Sequence, residues 1–253
     1  MIRWFPWHGP SLAVCLLAIP ALLASSGCTK DQEEQAQIVQ EEVYGKGPLN
    51  YLLFMPQATS AAENGRYPLI LSLHGIGERG NDLRALKKDG LPKLLDGFGS
   101  FPFIVVSPQC AVSTEWYYDR TDMLVDQLLR IVVQRYPVDT MRIYMTGYSM
   151  GGIGAWDMAI RHPSWFAAVM PIAARREPGW NPCPMSGIPV WAFHGALDDV
   201  VPLAKGQDVV DAFRTCAGAA TFTVYPDAGH DSWSRTYSTP EVFTWMLRQR
   251  RPP

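Results

Sequence analysis

Charge is scarce in this chain and nearly balanced: 18% of its 253 residues are charged, with 22 Lys and Arg against 24 Asp and Glu. The formal net charge is -2, and the basic residues are scattered. No positive stripe is available to hold a phosphate backbone or an anionic lipid face, so nucleic acid is not an expected partner. Cysteine is also rare, five in all. None stands in a C-x-x-C pair or beside a second cluster of ligand residues, so no metal site is expected. Long apolar runs are missing as well. The best candidate, Ser11 to Leu23, is broken by Pro20 and falls short of the roughly 20 residues that a spanning helix needs. No internal repeat is present. The composition, 47% hydrophobic, is that of a globular protein, and one domain is the natural count at this length.

The N-terminal residues have the marks of an export signal. Arg3 supplies positive charge, the short apolar stretch follows, and Ala24, Ser25, Ser26 and Gly27 lead to Cys28. Small residues directly before a cysteine resemble a bacterial lipoprotein signal, with Cys28 as the lipidated first residue of the mature chain. Ser25 departs from that pattern, which usually has Leu there. The expected organisation is a signal peptide over 1–27, a flexible tether over 28–47 rich in Gln and Glu, and a catalytic domain over 48–253. The protein is then exported to the cell envelope as a membrane-anchored lipoprotein on the periplasmic or cell-surface side, or else secreted. Membrane contact is expected only through the lipid anchor.

Short apolar runs bounded by turn residues predict strands at 51–55, 69–73, 103–106, 143–146, 167–171, 190–193 and 221–225. Helical patterns lie between several of them. Thr121 or Asp122 is placed to cap a helix whose apolar face holds Val125, Leu128, Leu129, Val132 and Tyr136, stopped before Pro137. Further helices are expected from Ser149 to about Arg161, from Pro202 to Gly218, and from Pro240 onward. Alternation of strand and helix implies a mostly parallel central sheet with helices on both faces, and ligands in such sheets bind beyond the carboxyl ends of the strands.

One such strand end carries G-x-S-x-G, formed by Gly147, Ser149 and Gly151. A serine hydroxyl is a weak nucleophile until a base takes its proton and a sharp strand-to-helix turn presents its oxygen, with glycines allowing the backbone to crowd there. Where this turn is catalytic, the triad runs Ser, acid, His along the chain. Only His230, in YPDAGHDSWS, follows a plausible acid. His74 and His194, each before a Gly at a strand end, read as structural, and His162 reads as a helix-end residue meeting terminal carbonyls. The acid is Asp198 or Asp199 in FHGALDDVVP, neighbours that this reasoning does not separate; Asp227 lies too close to His230 in the same loop. A hole for the oxyanion would use the backbone N–H groups of Met150, after the nucleophile, and of Ile76 in LHGIGERG.

These four segments, LHGIGERG, GYSMGG, FHGALDDVVP and AGHDSW, resemble in order and spacing the carboxylesterase and polyester-depolymerase branch of the α/β-hydrolases, particularly bacterial lipoprotein esterases often labelled predicted peptidases. The resemblance runs from about Leu49 to Arg250. It implies an α/β-hydrolase fold, a serine esterase acting without a cofactor, Asp198 as the acid by the H-G-x-x-D pattern, and Ile76 as an oxyanion donor. The departure is Ala173-Ala174-Arg175-Arg176, where relatives commonly have a Gly-rich run. The leading expectation is hydrolysis of short-acyl esters or of esters borne on a polymer or sugar. Peptide hydrolysis is the rival within the class, although amides have poorer leaving groups and need well-built subsites. A non-catalytic cell-envelope binding protein, the reading from another class, would ordinarily have lost a triad residue.

Trp116 and Trp233 border the expected site in sequence and are candidates to grip an acyl or aryl group. Between the strands at 167–171 and 190–193 there is room for a polar, proline-rich connection but not for a large cap domain. Cys183, before the acid-bearing strand, and Cys216, at the end of the helix after it, are placed to form a disulfide.

Overall fold

The computed structural model describes residues 37–42, 48–56, 62–95, 97 and 101–252. The export signal, Cys28 and most of the tether lie outside the described residues. The exception is Gln37–Glu42, which forms strand β1 and pairs antiparallel with β2 (Pro48–Phe54). The expected tether therefore does not extend over these six residues. The outer edge of β2 would otherwise be an unpaired ladder, and the branched pair Ile38-Val39 suits a strand.

The remaining strands are β3 (Tyr67–Leu73), β4 (Ile104–Pro108), β5 (Val138–Tyr148), β6 (Ala168–Ile172), β7 (Val190–Gly195) and β8 (Ala220–Tyr225). They build one sheet in the order β1-β2-β4-β3-β5-β6-β7-β8, antiparallel at the β1-β2-β4 edge and parallel from β4 to β8. The expected α/β-hydrolase architecture is what this sheet shows. The helices are α1 (Gly90–Leu95), α2 (Asp119–Arg135), α3 (Met150–Arg161), α4 (Leu203–Thr215), α5 (Trp233–Tyr237) and α6 (Pro240–Leu247).

Alternate side chains of each central strand enter different cores, as the two-residue repeat of a strand requires. Leu69, Leu71 and Leu73 of β3 pack with Val125 and Leu129 of α2, Trp156 of α3 and Phe213 of α4. Ile70 of β3 and Tyr144 of β5 pack on the other side with Leu91 of α1, Tyr237 of α5 and Phe243 of α6. Both faces are covered, which is why these strands read as continuous apolar runs. Between β6 and β7 the chain makes only a short turn of 3-10 helix at Cys183–Met185, with no inserted cap.

Two local expectations need correction. Helix α2 begins at Asp119 behind Tyr118, one turn before the expected cap at Thr121 or Asp122. Thr121 instead shares a hydrogen bond with Thr114, 2.7 Å between hydroxyls, and Asp122 turns inward to His162. His162 accordingly meets carboxylates and not helix-terminal carbonyls: Nε2 lies 3.1 Å from Asp122, whose hydrogen bond raises the imidazole pKa. Cys183 and Cys216 are joined in a disulfide, Cα atoms 4.9 Å apart, and Cys110 is a buried free thiol. No helix among the described residues is long and apolar enough to cross a membrane.

Candidate active site

Parallel strands β3, β5 and β7 end on the same side of the sheet, and each ends in a functional loop. At the end of β5 the chain turns directly into α3 through Ser149, whose φ of 54° and ψ of −122° lie in a region that side-chain-bearing residues avoid. The turn is tight enough to need glycine on both sides of it. A Cβ on Gly151 would sit 2.1 Å from the Leu73 carbonyl oxygen, and one on Gly147 would sit 2.2 Å from the Gly151 carbonyl oxygen. The Ser149 amide donates to the Ile172 carbonyl of β6 at 2.9 Å, which anchors the turn to the next strand. Strain at a well-held residue is a mark of function when the surroundings over-determine it.

The loop after β8 brings His230 to this serine. His230 Nε2 lies 2.9 Å from Ser149 Oγ, and its Nδ1 lies 2.8 Å from Asp198 Oδ2. The three side chains form an unbroken line, and the Ser149 hydroxyl and both imidazole nitrogens have their partners. Asp198 is 6% exposed, and its other oxygen accepts the amides of Val200 at 3.0 Å and Val201 at 2.8 Å. Asp199 points to solvent. Asp227 is engaged by Arg235 at the surface, 2.9 Å away. The geometry therefore separates the neighbouring aspartates by burial and by direction.

Two further histidines support the site without entering it. His194 Nε2 donates to the Val201 carbonyl at 2.8 Å and lies 3.3 Å from Asp198 Oδ2; burial lowers its pKa, so it packs against the acid as a neutral ring. His74 Nδ1 donates to the Gly75 carbonyl at 2.5 Å, while Nε2 accepts the Cys110 amide at 2.9 Å. Burial pushes its pKa down to about 4. The ring pins the end of β3, where the loop with Ile76 starts.

Ile76 opens a 3-10 turn and Met150 opens α3. First-turn amides have no acceptor within their own helix. Among the described residues none pairs with either amide, so both are free to donate to a ligand beside Ser149. Trp116 is not part of any such surface. It is 0% exposed, its Nε1 donates to the His74 carbonyl at 2.9 Å, and its ring packs against His74 at 4.9 Å. It is a core residue under the site because it closes the space above Gly154, where even a Cβ would approach it to 2.3 Å. Trp233 is 8% exposed. It turns its ring edge-to-face toward His230 at 5.2 Å, and its Nε1 donates to Asp89 at 2.9 Å. Its place is beside the imidazole, where it steadies the ring.

Sequence reasoning missed the exposed apolar side chains near the strand ends. Leu197, directly before Asp198, is 65% exposed, and Val200 and Ile76 are also exposed. Leu197 and Val200 flank the two aspartates of one loop, and that placement of apolar residues just past a strand end is the signal that could have found them. Glu78, Asp89 and Tyr148, which gather beside Trp233, were missed too. Among the described residues no group of three or more His, Cys, Asp or Glu is placed to hold a metal ion.

A model of the dienelactone hydrolase family matches residues 111–239, about half of the chain and the part that carries Ser149, Asp198 and His230. The chain belongs to the dienelactone hydrolase family. Relatives with similar sequences include feruloyl esterase D of Neurospora crassa, 28% identical over 237 residues, which covers 86% of this chain and 78% of that one. A bifunctional acetylxylan esterase/xylanase of Neocallimastix patriciarum is 26% identical over 185 residues, covering 70% of this chain and 26% of that one. A thermostable esterase of known crystal structure superposes with a TM-score of 0.72 at 27% identity, covering 85% of this chain and 63% of the other. This dienelactone hydrolase family member thus spans about a quarter of the length of the acetylxylan esterase/xylanase and under two thirds of the thermostable esterase.

Proposed function

We propose that the protein hydrolyses carboxylic esters through an acyl-enzyme on Ser149. The observation that carries this reading is the hydrogen-bonded line Asp198–His230–Ser149 ending on a strained strand-to-helix turn. Ser149 Oγ attacks the ester carbonyl carbon while His230 Nε2 takes its proton. Asp198, held by two backbone amides, fixes the imidazole with Nδ1–H toward itself and stabilises the imidazolium. The negative charge on the former carbonyl oxygen faces the amides of Ile76 and Met150. Collapse of this intermediate expels the alcohol, which takes the proton from His230. Water, deprotonated by the same histidine, then releases the acid and restores Ser149. Every proton is returned within the cycle, so no cofactor enters the scheme.

The site's surroundings support a substrate class. The short β6–β7 connection leaves the groove without a cap on that side, and apolar Leu197, Val200 and Ile76 lie exposed along the loops that form its mouth. Such a mouth suits short acyl groups or esters that protrude from a larger polymer or sugar, and relatives named acetylxylan and feruloyl esterases agree with that. The N-terminal signal supports export, with Cys28 as a lipid anchor at the cell envelope.

A fluorophosphonate probe tests the reading on purified protein. Labelling is expected at Ser149 and is expected to vanish in Ser149→Ala. Asp198→Asn should lower kcat by about 10⁴, as loss of the correct imidazole tautomer does elsewhere, whereas Asp199→Asn should leave kcat near that of the parent. Undiminished ester hydrolysis by Ser149→Ala would end the proposal.

A further inference from the structure

Three loops of the site meet on one aromatic ring. Tyr148, the residue before the nucleophile, is 4% exposed. Its ring lies between Gly75, where the loop with Ile76 begins, and Gly90, the first residue of α1. A Cβ on Gly75 would come within 2.7 Å of Tyr148 Cε2, and one on Gly90 within 2.5 Å of Cε1. The ring face stacks on Trp233, with centroids 4.5 Å apart at 29°. Trp233 in turn flanks His230. The nucleophile turn, the oxyanion loop and the histidine loop are therefore located against the same side chain.

The hydroxyl of that ring faces a carboxyl. Tyr148 Oη and Glu78 Oε2 are both buried, and neither completes a hydrogen bond of standard geometry. The Glu78 carboxyl nevertheless lies against the Tyr148 hydroxyl and the Gly75 amide, and the would-be Cβ of Gly75 is 3.2 Å from Glu78 Oε2. Glu78 closes the 3-10 turn that Ile76 opens. The carboxyl folds back over Gly75, the residue before Ile76, and the Ile76 amide is left for the substrate. A full negative charge there would oppose a developing oxyanion. Burial raises the Glu78 pKa and so favours its neutral form, although the Tyr148 hydroxyl offsets part of that shift.

We propose that Glu78 and Tyr148 act as a positioning pair, fixing the Gly75–Ile76 peptide so that the Ile76 amide faces the oxyanion formed at Ser149. This rests on the ester-hydrolase reading above. Neither side chain touches substrate; both act through the loop.

The test uses the whole protein carrying Glu78→Ala, Glu78→Gln, Tyr148→Phe or the Ala–Phe pair. The readouts are hydrolysis of p-nitrophenyl acetate and inhibition by phenylboronic acid, which forms a tetrahedral adduct on an active serine. Glu78→Ala should lower kcat by about 10–100-fold, less than the roughly 10²–10³ that follows complete loss of a donor. Its KM should stay within about twofold, and boronate affinity should fall with kcat, because the lost interaction is made only with the tetrahedral state. Glu78→Gln, neutral and of the same shape, should return kcat to within about threefold of the parent. Tyr148→Phe should lower kcat and boronate affinity together, and the double variant should be no worse than Glu78→Ala, since paired residues are not additive. Unchanged kcat in Glu78→Ala, an effect on KM alone, or factors that multiply in the double variant would overturn the pairing. If Glu78→Ala does not fold, Tyr148→Phe decides, since it keeps the ring: unchanged kcat and boronate affinity overturn the proposal. An inactive parent protein would sink the ester-hydrolase reading with it, whereas an active parent beside an unaffected Glu78→Ala sinks this inference alone.

Discussion

His74 stands one residue before the oxyanion loop, yet its ring is fully used in holding the chain. One nitrogen donates to Gly75, the other accepts from Cys110, and its pKa is about 4. An unfolded histidine takes up its proton near 6.5, so between those values the unfolded state binds more protons than the folded one. Stability from His74 is therefore complete above pH 6.5 and is lost as pH falls toward 4. The span corresponds to an order of 3 kcal/mol. Urea unfolding of His74→Gln should show a shallower loss of stability between pH 6.5 and 4 than the parent, because glutamine does not titrate; equal slopes would exclude this assignment. The residues legible in the sequence were those whose neighbours define them: Ser149 by its flanking glycines, His230 by its place after the last strand. The choice between Asp198 and Asp199 was not legible without the family resemblance, since both follow the same strand, and only the folded chain separates them, by burial and by direction. Trp116 misled for a related reason. An aromatic residue after a strand looks the same whether it faces a groove or, as here, packs under the site.

At the scale of elements, the fold was legible wherever a strand was apolar throughout or a helix carried a full amphipathic face. Helices α1 and α5, six and five residues long, are too short to display a helical period, and the sequence reading passed over both. Strand β1 reads as tether because Gln and Glu dominate its surroundings and mask a short strand, although its antiparallel partner β2 is the next element in the chain. The disulfide, by contrast, followed from placement. Cys183 lies in the turn before β7 and Cys216 caps the end of α4, so the bridge closes a loop of sequence separation 33 that contains β7 and the Asp198 loop after it. Closing such a loop stabilises a protein by about 3–4 kcal/mol in the chain-entropy account. Replacing both cysteines by alanine should lower Tm and denaturation midpoint accordingly while kcat stays near that of the parent, as measured by thermal and urea unfolding beside an esterase assay. A large loss of kcat in folded protein would show that the bridge also holds the acid in line.

At the scale of the molecule, the sheet brings the loops after β3, β5, β7 and β8 to one end. What it does not bring, between β6 and β7, is a cap that could form a covered acyl tunnel. Each methylene buried in such a tunnel would add about 0.8 kcal/mol of binding, so activity would climb with chain length. The open mouth predicts the reverse: kcat/KM for p-nitrophenyl esters should peak at roughly two to four acyl carbons and fall steeply by about ten. A maximum at long chains would mean that other loops enclose the acyl group. The central claim, however, is the covalent intermediate. Its most direct test is peptide mass spectrometry of protein quenched in acid during turnover of p-nitrophenyl acetate. A single acetyl group on Ser149, absent from Ser149→Ala, is the predicted result. Continued hydrolysis with Ser149 unmodified, or with the acetyl group on another residue that turnover requires, would contradict it.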